Sequence, residues 1–328
     1  MSAVASGIGV VVIGRNEGPR LERCLASLVG AADKIVYVDS GSTDGSVQMA
    51  QARGVQVVEL DMTIPFTAAR ARNEGFACLQ RLLPDMRYVQ FVDGDCEVVD
   101  GWLSRAQRFL DAQPEVAVVC GRRRERFPQR SVYNLMCDLE WNTPVGEAKA
   151  CGGDALMRAD ALALVAGFRP DLIAGEEPEL CVRLRAKGWK VWRLDEEMTL
   201  HDAAMTRFGQ WWRRTMRGGH AFAEGAFLHG ATPEHHWLRE SRRAWFWGLG
   251  IPLAALIATL IMGPAGWLLL LVYPLQITRL ALRGKRSARE NWLLAFFLVL
   301  GKFPEMLGQA KFVLSRFGAG KTALIEYK

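Results

Sequence analysis

The sequence lacks the cysteine patterns that indicate a disulfide framework or a zinc site. Its seven cysteines are scattered along the chain, with no C-x-x-C pair and no zinc-like spacing. An odd, irregular set of this kind is typical of a protein in a reducing cytoplasm. We also expect no signal peptide, because Met1–Gly7 is short, small and uncharged before the first predicted strand begins. We therefore expect the N-terminal part of the chain to lie in the cytoplasm.

The phosphate loops of the common nucleotide-binding folds are absent as well. The loop Gly41–Gly45 follows a predicted strand, but it is not G-x-G-x-x-G, and no G-x-x-x-x-G-K-[ST] occurs in the chain. Dehydrogenases and P-loop NTPases depend on these loops to hold the phosphates of their ligands. The sequence therefore argues against both classes of protein.

The positive charge of the chain does not follow the pattern of a nucleic-acid-binding surface. The formal net charge is +6, but the basic residues form no stripe interleaved with aromatic residues. Two clusters, Arg239–Arg243 and Arg283–Arg289, instead flank an apolar stretch. Basic clusters in that position follow the positive-inside rule and attract anionic lipid. We expect the membrane to be a partner and nucleic acid not to be one.

Long charge-free stretches are confined to the C-terminal part of the chain. Ala244–Met262 contains no charged residue, and Pro264–Thr278 continues apolar after the turn signal Gly263-Pro264. A helix needs about 20 apolar residues to cross the hydrocarbon core of a bilayer. The pattern predicts a helical hairpin in the membrane. A buried hairpin inside a soluble domain is the alternative.

The change of composition defines a predicted domain boundary. We expect a catalytic domain over residues 1–240 and a membrane-associated helical region over 241–328, with the hairpin at 244–282. The amphipathic segment 291–315 is predicted to lie flat in the membrane interface. This arrangement places the protein at the inner, cytoplasmic membrane, with the catalytic domain facing the cytoplasm.

Short buried-strand patterns alternate with helical periodicity in the first part of the chain. Such alternation predicts an α/β fold, a mostly parallel sheet covered by helices. The predicted strands are Val10–Ile13, Lys34–Asp39, Gln56–Leu60, Tyr88–Asp93 and Val116–Cys120. In sheets of this kind, ligands bind beyond the carboxyl ends of the strands.

Polar and acidic residues stand at three of those strand ends. Glu17 follows the first strand, and Asp39 ends the second. Asp93 ends the fourth strand, and Asp95 follows it. Each has a structural alternative, since Asp39 suits a helix cap or turn and Asp93–Asp95 suits a tight turn. Two carboxylates one residue apart can also hold Mg²⁺ or Mn²⁺, which then grips the diphosphate of a ligand. Their recurrence at consecutive strand ends favours a shared site.

In these segments the chain resembles the family 2 glycosyltransferases, which have the Rossmann-like GT-A fold and invert the anomeric centre. The matching segments occur in the family's order and extend over roughly residues 8–220. They are Val10–Glu17, Val38–Gly45, Ala71–Gly75, Phe91–Asp95 and Gly175–Arg183. The resemblance implies a hexosyltransferase that uses a nucleotide-diphosphate sugar, with a lean towards UDP-sugars, and a divalent metal.

The resemblance also implies roles for residues near the donor. Glu17 and Asp39 would contact the base and ribose of the nucleotide, and Asp93 would support the site from its strand end. Asp154, in a Gly-Gly-Asp segment, would touch the donor sugar or the acceptor. Arg72 either faces the diphosphate or only solvates its helix.

Metal binding and catalysis are assigned by the same resemblance. Asp95 would be the main metal ligand, and His201 would complete the metal shell, although a lone histidine is often structural. Glu177 occupies the position of the catalytic base, where most members of the family have Asp, and Glu176 is the nearest competitor. A solvated first helical turn, where acids are favoured, is the structural alternative for both glutamates.

The acceptor is predicted to be a lipid-linked or other glycan at the membrane surface, used in cell-envelope or exopolysaccharide synthesis. Two other functions stay open at this point. A nucleotidyltransferase shares the alternating fold and the acidic metal site, although the loop Gly14–Glu17 has an acid where such an enzyme needs a phosphate clamp. A membrane-docked sugar-binding or scaffold protein without catalytic activity would be expected to lack one of the metal or base carboxylates, and all are present.

Overall fold

The computed structural model describes residues 7–231 and 233–317, and the chain divides into two units between Thr206 and Arg207. Composition predicts the boundary at 240 instead. The difference arises from α8 (Phe208–His229), a helix with charged faces that reads as part of the first domain. In the structure it packs on the last helix of the chain, α13 (Lys302–Phe317), and therefore belongs to the second unit.

The first unit is built on one sheet of nine strands. Its order is β3-β2-β1-β4-β8-β6-β9-β5, and β7 pairs with β9. The strands are β1 (Ile8–Gly14), β2 (Lys34–Asp39), β3 (Gln56–Glu59), β4 (Tyr88–Asp93), β5 (Cys96–Val98), β6 (Val116–Glu125), β7 (Gly146–Ala148), β8 (Ala155–Arg158) and β9 (Lys190–His201).

The predicted α/β fold class is confirmed, and the sheet is parallel in its first half. β3, β2, β1 and β4 are parallel neighbours, whereas β8 is antiparallel to both β4 and β6. β6 and β9 again run parallel. The second half is therefore mixed, a feature that alternating helix and strand patterns do not predict.

Seven helices accompany these strands in the part of the first unit that the structure describes. They are α1 (Pro19–Leu28), α2 (Ser46–Ala52), α3 (Ala68–Leu82), α4 (Trp102–Ala112), α5 (Val132–Glu140), α6 (Ala159–Leu164) and α7 (Glu176–Ala186). Helix α3 begins where the Thr67 side chain accepts a hydrogen bond from the backbone N–H of Arg70. It lies so close to the sheet that a Cβ on Gly75 would come within 2.4 Å of Val11 Cγ1.

All the secondary structure that the second unit shows in the residues described is helical. After α8 come α9 (Leu238–Trp245), α10 (Ile251–Met262), α11 (Val272–Arg283), α12 (Ala288–Leu300) and α13. A π-helical turn, Phe246–Gly250, joins α9 to α10, and a 3₁₀ stretch, Gly263–Leu271, leads into α11.

The apolar region turns back on itself at Gly263, whose φ is +70°. The Tyr273 hydroxyl donates a hydrogen bond to the backbone carbonyl of Trp247 at 2.5 Å, so the two arms lie side by side. Trp211 of α8 is buried, and its ring centre lies 4.8 Å from that of Phe297. This residue therefore packs within the second unit.

Two helical runs among the described residues are long and apolar enough to cross a membrane. In the most apolar window of Leu238–Arg283 only 11% of residues are buried, and in Ala288–Phe317 the share is 39%. A core hairpin of a soluble protein would be mostly buried. The low burial of the first run therefore favours contact with lipid over the soluble alternative.

Candidate active site

The carboxyl ends of three adjacent strands bring the predicted donor residues to one edge of the sheet. β1 lies between β2 and β4 and is parallel to both. Asp39 is the last residue of β2, Asp93 is the last of β4, and Glu17 follows β1. These positions match those that the sequence predicts for a shared site.

Asp39 shapes the loop that follows its strand. Its Oδ2 accepts hydrogen bonds from the backbone N–H groups of Gly41 and Ser42 at 2.9 and 2.8 Å. Its Oδ1 accepts from the Tyr37 hydroxyl at 2.7 Å. Burial, followed by the Asp39 carboxylate, raises the pKa of Tyr37, so that hydroxyl stays protonated and donates. The turn-forming role of Asp39 is thus realised in this structure.

The loops after β1 and β2 are tied together by Asn16. This residue has a left-handed φ of +55°. Its backbone N–H donates to Ser42 Oγ at 2.9 Å, and its side-chain oxygen accepts from the Thr43 N–H at 2.7 Å. Non-glycine residues in this conformation are uncommon and cluster at functional sites. The two loops therefore form one rigid rim.

Glu17 lies under the turn that follows β4. Its side chain is mostly buried and pairs with Arg20 at 2.7 Å. A Cβ on Gly94 would come within 3.3 Å of Glu17 Cγ and 3.1 Å of the Ile13 carbonyl oxygen. A side chain at Gly94, between Asp93 and Asp95, would therefore crowd the end of β1 and Glu17.

Asp93 is held between two buried arginines. Its Oδ1 accepts from Arg72 Nη2 at 2.9 Å, and its Oδ2 accepts from Arg123 Nη2 at 3.2 Å. Burial would raise the pKa of Asp93, but the charges of these two arginines outweigh it and lower the pKa. Asp93 is therefore an anion at neutral pH. Arg72, which the sequence placed either at a diphosphate or in solvent, is buried among carboxylates.

Asp154 is fully buried and hydrogen-bonds to the backbone of Asp93. Its Oδ1 accepts from the backbone N–H of Asp93 at 3.1 Å. Its Oδ2 accepts from Arg123 Nε at 2.9 Å and from Thr199 Oγ1 at 2.7 Å. The sequence predicts contact with the donor sugar or the acceptor, whereas the structure gives this carboxylate a supporting position.

Asp95 and His201 face each other at the expected metal position. Asp95 Oδ2 lies 3.2 Å from His201 Nε2, and both side chains are nearly buried. The β5–β9 ladder, which pairs Cys96 with His201, sets this approach. β9 runs through the exposed residues Asp195–Glu197 and carries His201 as its last residue.

The chemistry of this pair fits a divalent cation. Ligands of Mg²⁺ lie about 2.1 Å from the ion, so two adjacent ligands stand about 3 Å apart. The second ring nitrogen, Nδ1, is buried without a hydrogen-bond partner among the described residues and lies 3.7 Å from Glu125 Oε2. Carboxylates in that position orient metal-bound histidines. Burial lowers the pKa of His201, but the Asp95 carboxylate and the nearby Glu125 carboxylate outweigh it and raise the pKa.

The two glutamates at the start of α7 share Arg72. Arg72 Nη1 lies 2.8 Å from Glu176 Oε1 and 3.0 Å from Glu177 Oε1. The Glu176 side chain is 6% exposed and that of Glu177 is 14% exposed. Burial and the Glu176 charge raise the pKa of Glu177 to about 7, against the opposing charge of Arg72. Of the two, Glu177 is thus the more accessible and carries the pKa of a base poised near neutrality.

Sequence reasoning missed two residues of this cluster, Arg123 and Trp141. Arg123 pairs with Asp93 and Asp154, and its guanidinium lies 5.5 Å from the Trp141 ring centre. The half-buried Trp141 ring meets the His201 ring edge-on at 4.8 Å. A basic run directly after a buried strand was the available signal for Arg123. Nothing in the local pattern distinguishes Trp141.

Comparison with known proteins agrees with this geometry. Residues 9–150 match the family model described as glycosyl transferase family 2. The chain is 27% identical over 184 residues to the succinoglycan biosynthesis protein ExoA of Rhizobium meliloti, covering 54% of this chain and 56% of that protein. It is 27% identical over 145 residues to a TPR repeat-containing protein of Synechococcus elongatus, covering 44% and 34%. The matches thus span about half or less of these curated relatives.

The fold has a solved counterpart of nearly the same extent. A mannosyltransferase from Pyrobaculum calidifontis, solved with GDP-mannose and Mn²⁺, superposes with a TM-score of 0.61 at 17% sequence identity. The superposition covers 94% of this chain and 87% of that one. The GT-A fold is therefore shared.

Proposed function

We propose that this chain, a glycosyltransferase by its family 2 domain, transfers a hexose from a nucleotide-diphosphate donor to a membrane-associated glycan acceptor with inversion. The observation that carries the proposal is one continuous cluster. Arg72 forms ion pairs with both Asp93 and Glu177. Asp95, two residues after Asp93, faces His201. The cluster combines a cation site with a carboxylate of raised pKa.

The proposed metal is Mn²⁺ or Mg²⁺, held by Asp95 and His201. When bound, the metal would stabilise the negative charge that develops on a departing nucleoside diphosphate. The match to a mannosyltransferase solved with Mn²⁺ supports a divalent cation. Asp93 stays ionised between its two arginines and would orient the turn that carries Asp95.

Glu177 is the proposed general base, and Glu176 is its competitor. In the proposed reaction, an acceptor hydroxyl attacks the anomeric carbon from the face opposite the nucleoside diphosphate. A new C–O bond forms, the bond from that carbon to the diphosphate oxygen breaks, and Glu177 takes the hydroxyl proton. Glu17 and Asp39 are proposed to hold the nucleoside through the rim that they shape, and we propose UDP as that nucleoside diphosphate.

The acceptor is proposed to be lipid-linked. Two apolar helical runs fit attachment to the cytoplasmic face of the inner membrane, with the catalytic domain in the cytoplasm. Attachment would bring enzyme and lipid together without a search through solution. The partial match to a succinoglycan biosynthesis protein supports a role in exopolysaccharide or cell-envelope synthesis.

The test is release of nucleoside diphosphate from a panel of nucleotide sugars, with Mn²⁺ or Mg²⁺ and with or without membrane lipid extract. We expect one donor to be consumed in a lipid-stimulated reaction. Asp95→Ala should lower the rate by about a hundredfold or more, and Glu177→Gln by about 10²- to 10⁴-fold. Glu147 is exposed on β7 and forms none of the ion pairs described for the site, so Glu147→Gln is the control and should leave the rate unchanged.

Two outcomes would contradict the proposal. Full activity of Glu177→Gln would remove the base assignment and turn attention to Glu176. Release of pyrophosphate from nucleoside triphosphates, without use of any nucleotide sugar, would assign the chain to the nucleotidyltransferases.

A further inference from the structure

A cavity of about 350 Å³ opens in the second unit, next to the apolar helices. Three guanidinium groups and one imidazole meet two apolar side chains there, and no carboxylate lines it. The lining residues are His235, Leu238, Arg239, Arg242, Arg243 and Phe246. We call this cavity the arginine pocket.

The three arginines of the pocket stand apart from the ion pairs formed among the described residues. Within the part of the chain that the structure describes, none of their side chains forms an ion pair or a hydrogen bond, and all three are exposed. Arginines of the first unit contrast with them, since Arg72 and Arg123 are both tied to carboxylates. The guanidinium groups of the pocket are therefore available to a ligand.

Folding of the helix does not explain why these arginines are together. Arg239 stands three and four residues before Arg242 and Arg243 on α9, and like charges at these spacings destabilise a helix. Lysine or glutamine would tolerate the surface position equally well. The positive-inside rule accounts for basic residues at this end of the apolar run, and an anionic ligand would in addition offset the repulsion among the three arginines.

The backbone at the edge of the pocket is held in a costly conformation. His235 and Trp237 have left-handed φ values of +48° and +52°. The ring of Trp237 packs so tightly on α8 that a Cβ on Gly225 would come within 2.5 Å of it. This packing fixes the turn that presents His235 across from the arginines of α9. Strained backbone of this kind is concentrated at ligand-binding segments.

The chemistry of the lining indicates a ligand that is both anionic and apolar. Arginine binds phosphate through two parallel N–H donors. Phe246 is 59% exposed beside the arginines and begins the run that is apolar enough to cross a membrane. Basic pockets next to membrane helices bind the head groups of anionic lipids.

We propose that the arginine pocket binds the phosphate head group of an anionic glycerophospholipid, with Leu238 and Phe246 against the start of its acyl chains. The pocket lies wholly within the second unit and takes no part in the transfer reaction. The proposal is therefore independent of the proposed function. Occupation of this site would fix α9 at the membrane surface.

The test titrates the full-length chain in neutral detergent with dihexanoyl phosphatidylglycerol and counts bound lipid by native mass spectrometry. The pocket variant is Arg239→Gln, Arg242→Gln and Arg243→Gln together. A control of equal charge change is Arg283→Gln, Lys285→Gln and Arg289→Gln, whose side chains are exposed at the other end of the run. We expect one lipid per chain, with affinity lowered at least about tenfold more by the pocket variant than by the control.

Three further arms separate the pocket from simpler explanations. Dihexanoyl phosphatidylcholine, which has no net charge, should bind much more weakly, and glycerol phosphate should compete only at high concentration because it lacks acyl chains. A triple arginine-to-lysine variant keeps the charge and the fold but loses the paired donors, so it should bind with intermediate affinity.

Equal loss in the pocket and control variants, or equal binding of both phospholipids, overturns the proposal. So does one-to-one binding of a short polyprenyl diphosphate when phosphatidylglycerol does not bind.

Discussion

Glu177 changes its protonation state near neutral pH, because burial and the neighbouring charge of Glu176 raise its pKa to about 7. A base must be deprotonated to act, so we expect kcat/KM to rise with pH through about 7 and to level off above it. Glu176→Gln removes the neighbouring negative charge, so that the positive charge of Arg72 acts on Glu177 alone. The pKa of Glu177 should fall, and the rise of kcat/KM should move to lower pH. The measurement is kcat/KM from pH 5.5 to 9. If the pH profile of kcat/KM is the same in Glu176→Gln as in the parent, Glu177 is not the base that the profile reports.

The same raised pKa has a consequence for stability. The folded state holds the proton more tightly than the unfolded chain, so stability is full below the ordinary carboxyl pKa and falls as pH rises towards 7. At pH 8 the metal-free Glu177→Gln variant should therefore be more stable than the parent, by roughly 1 to 3 kcal/mol. At pH 5 the difference should shrink. Thermal unfolding at both values measures this, with Glu147→Gln as the control, and a variant that is less stable at pH 8 would refute it.

His201 depends on Glu125, a residue that no local sequence pattern brings forward. Glu125 Oε1 accepts hydrogen bonds from Asn134 and from the Phe127 N–H, and Oε2 accepts from the Ala203 N–H, which leaves the carboxylate fixed beside His201 Nδ1. We expect Glu125→Gln to weaken Mn²⁺ binding about 10- to 100-fold while the fold is kept. Isothermal titration with Mn²⁺ measures this directly, and unchanged affinity would remove Glu125 from the site.

At the scale of elements, helices α8 and α13 cross at glycines. A Cβ on Gly219 would lie 2.1 Å from the Glu305 carbonyl oxygen, whereas a Cβ on the adjacent Gly218 would meet nothing within 4 Å. Gly219→Ala should therefore destabilise the second unit by about 1 to 3 kcal/mol. Gly218→Ala should be neutral or stabilise it by up to about 1 kcal/mol, because alanine favours helix. Thermal unfolding of the two variants compares them, and equal effects would contradict the close crossing.

How much the sequence predicts also depends on the element. The buried runs of β1, β2 and β4 and the acids after them are visible because they are local patterns, and the structure places Asp39, Glu17 and Asp93 at one edge as expected. Arg123 is not predictable in this way. Arg123 of β6 reaches Asp93 of β4 across β8, a strand that comes later in the chain and pairs with both of them. Long-range antiparallel pairing of this kind leaves no periodic signal.

At the scale of the whole molecule, the apolar run of the second unit is the part through which we propose that the chain meets the membrane. Its two arms are joined at Gly263, and Leu260 and Ile261 near this turn are each 78% exposed. Such side chains are stable in lipid and costly in water. A hairpin also leaves both basic flanks on one side, as the positive-inside rule requires.

That topology can be tested by cysteine labelling, because all seven native cysteines are buried. Ala231→Cys and Ser287→Cys place exposed thiols before and after the hairpin. In inverted inner-membrane vesicles, a membrane-impermeant maleimide should label both, whereas right-side-out vesicles should protect both. Labelling of the two thiols from opposite sides would mean that the run crosses only once. The basic clusters would then lie on different sides, and the positive-inside rule could no longer explain them.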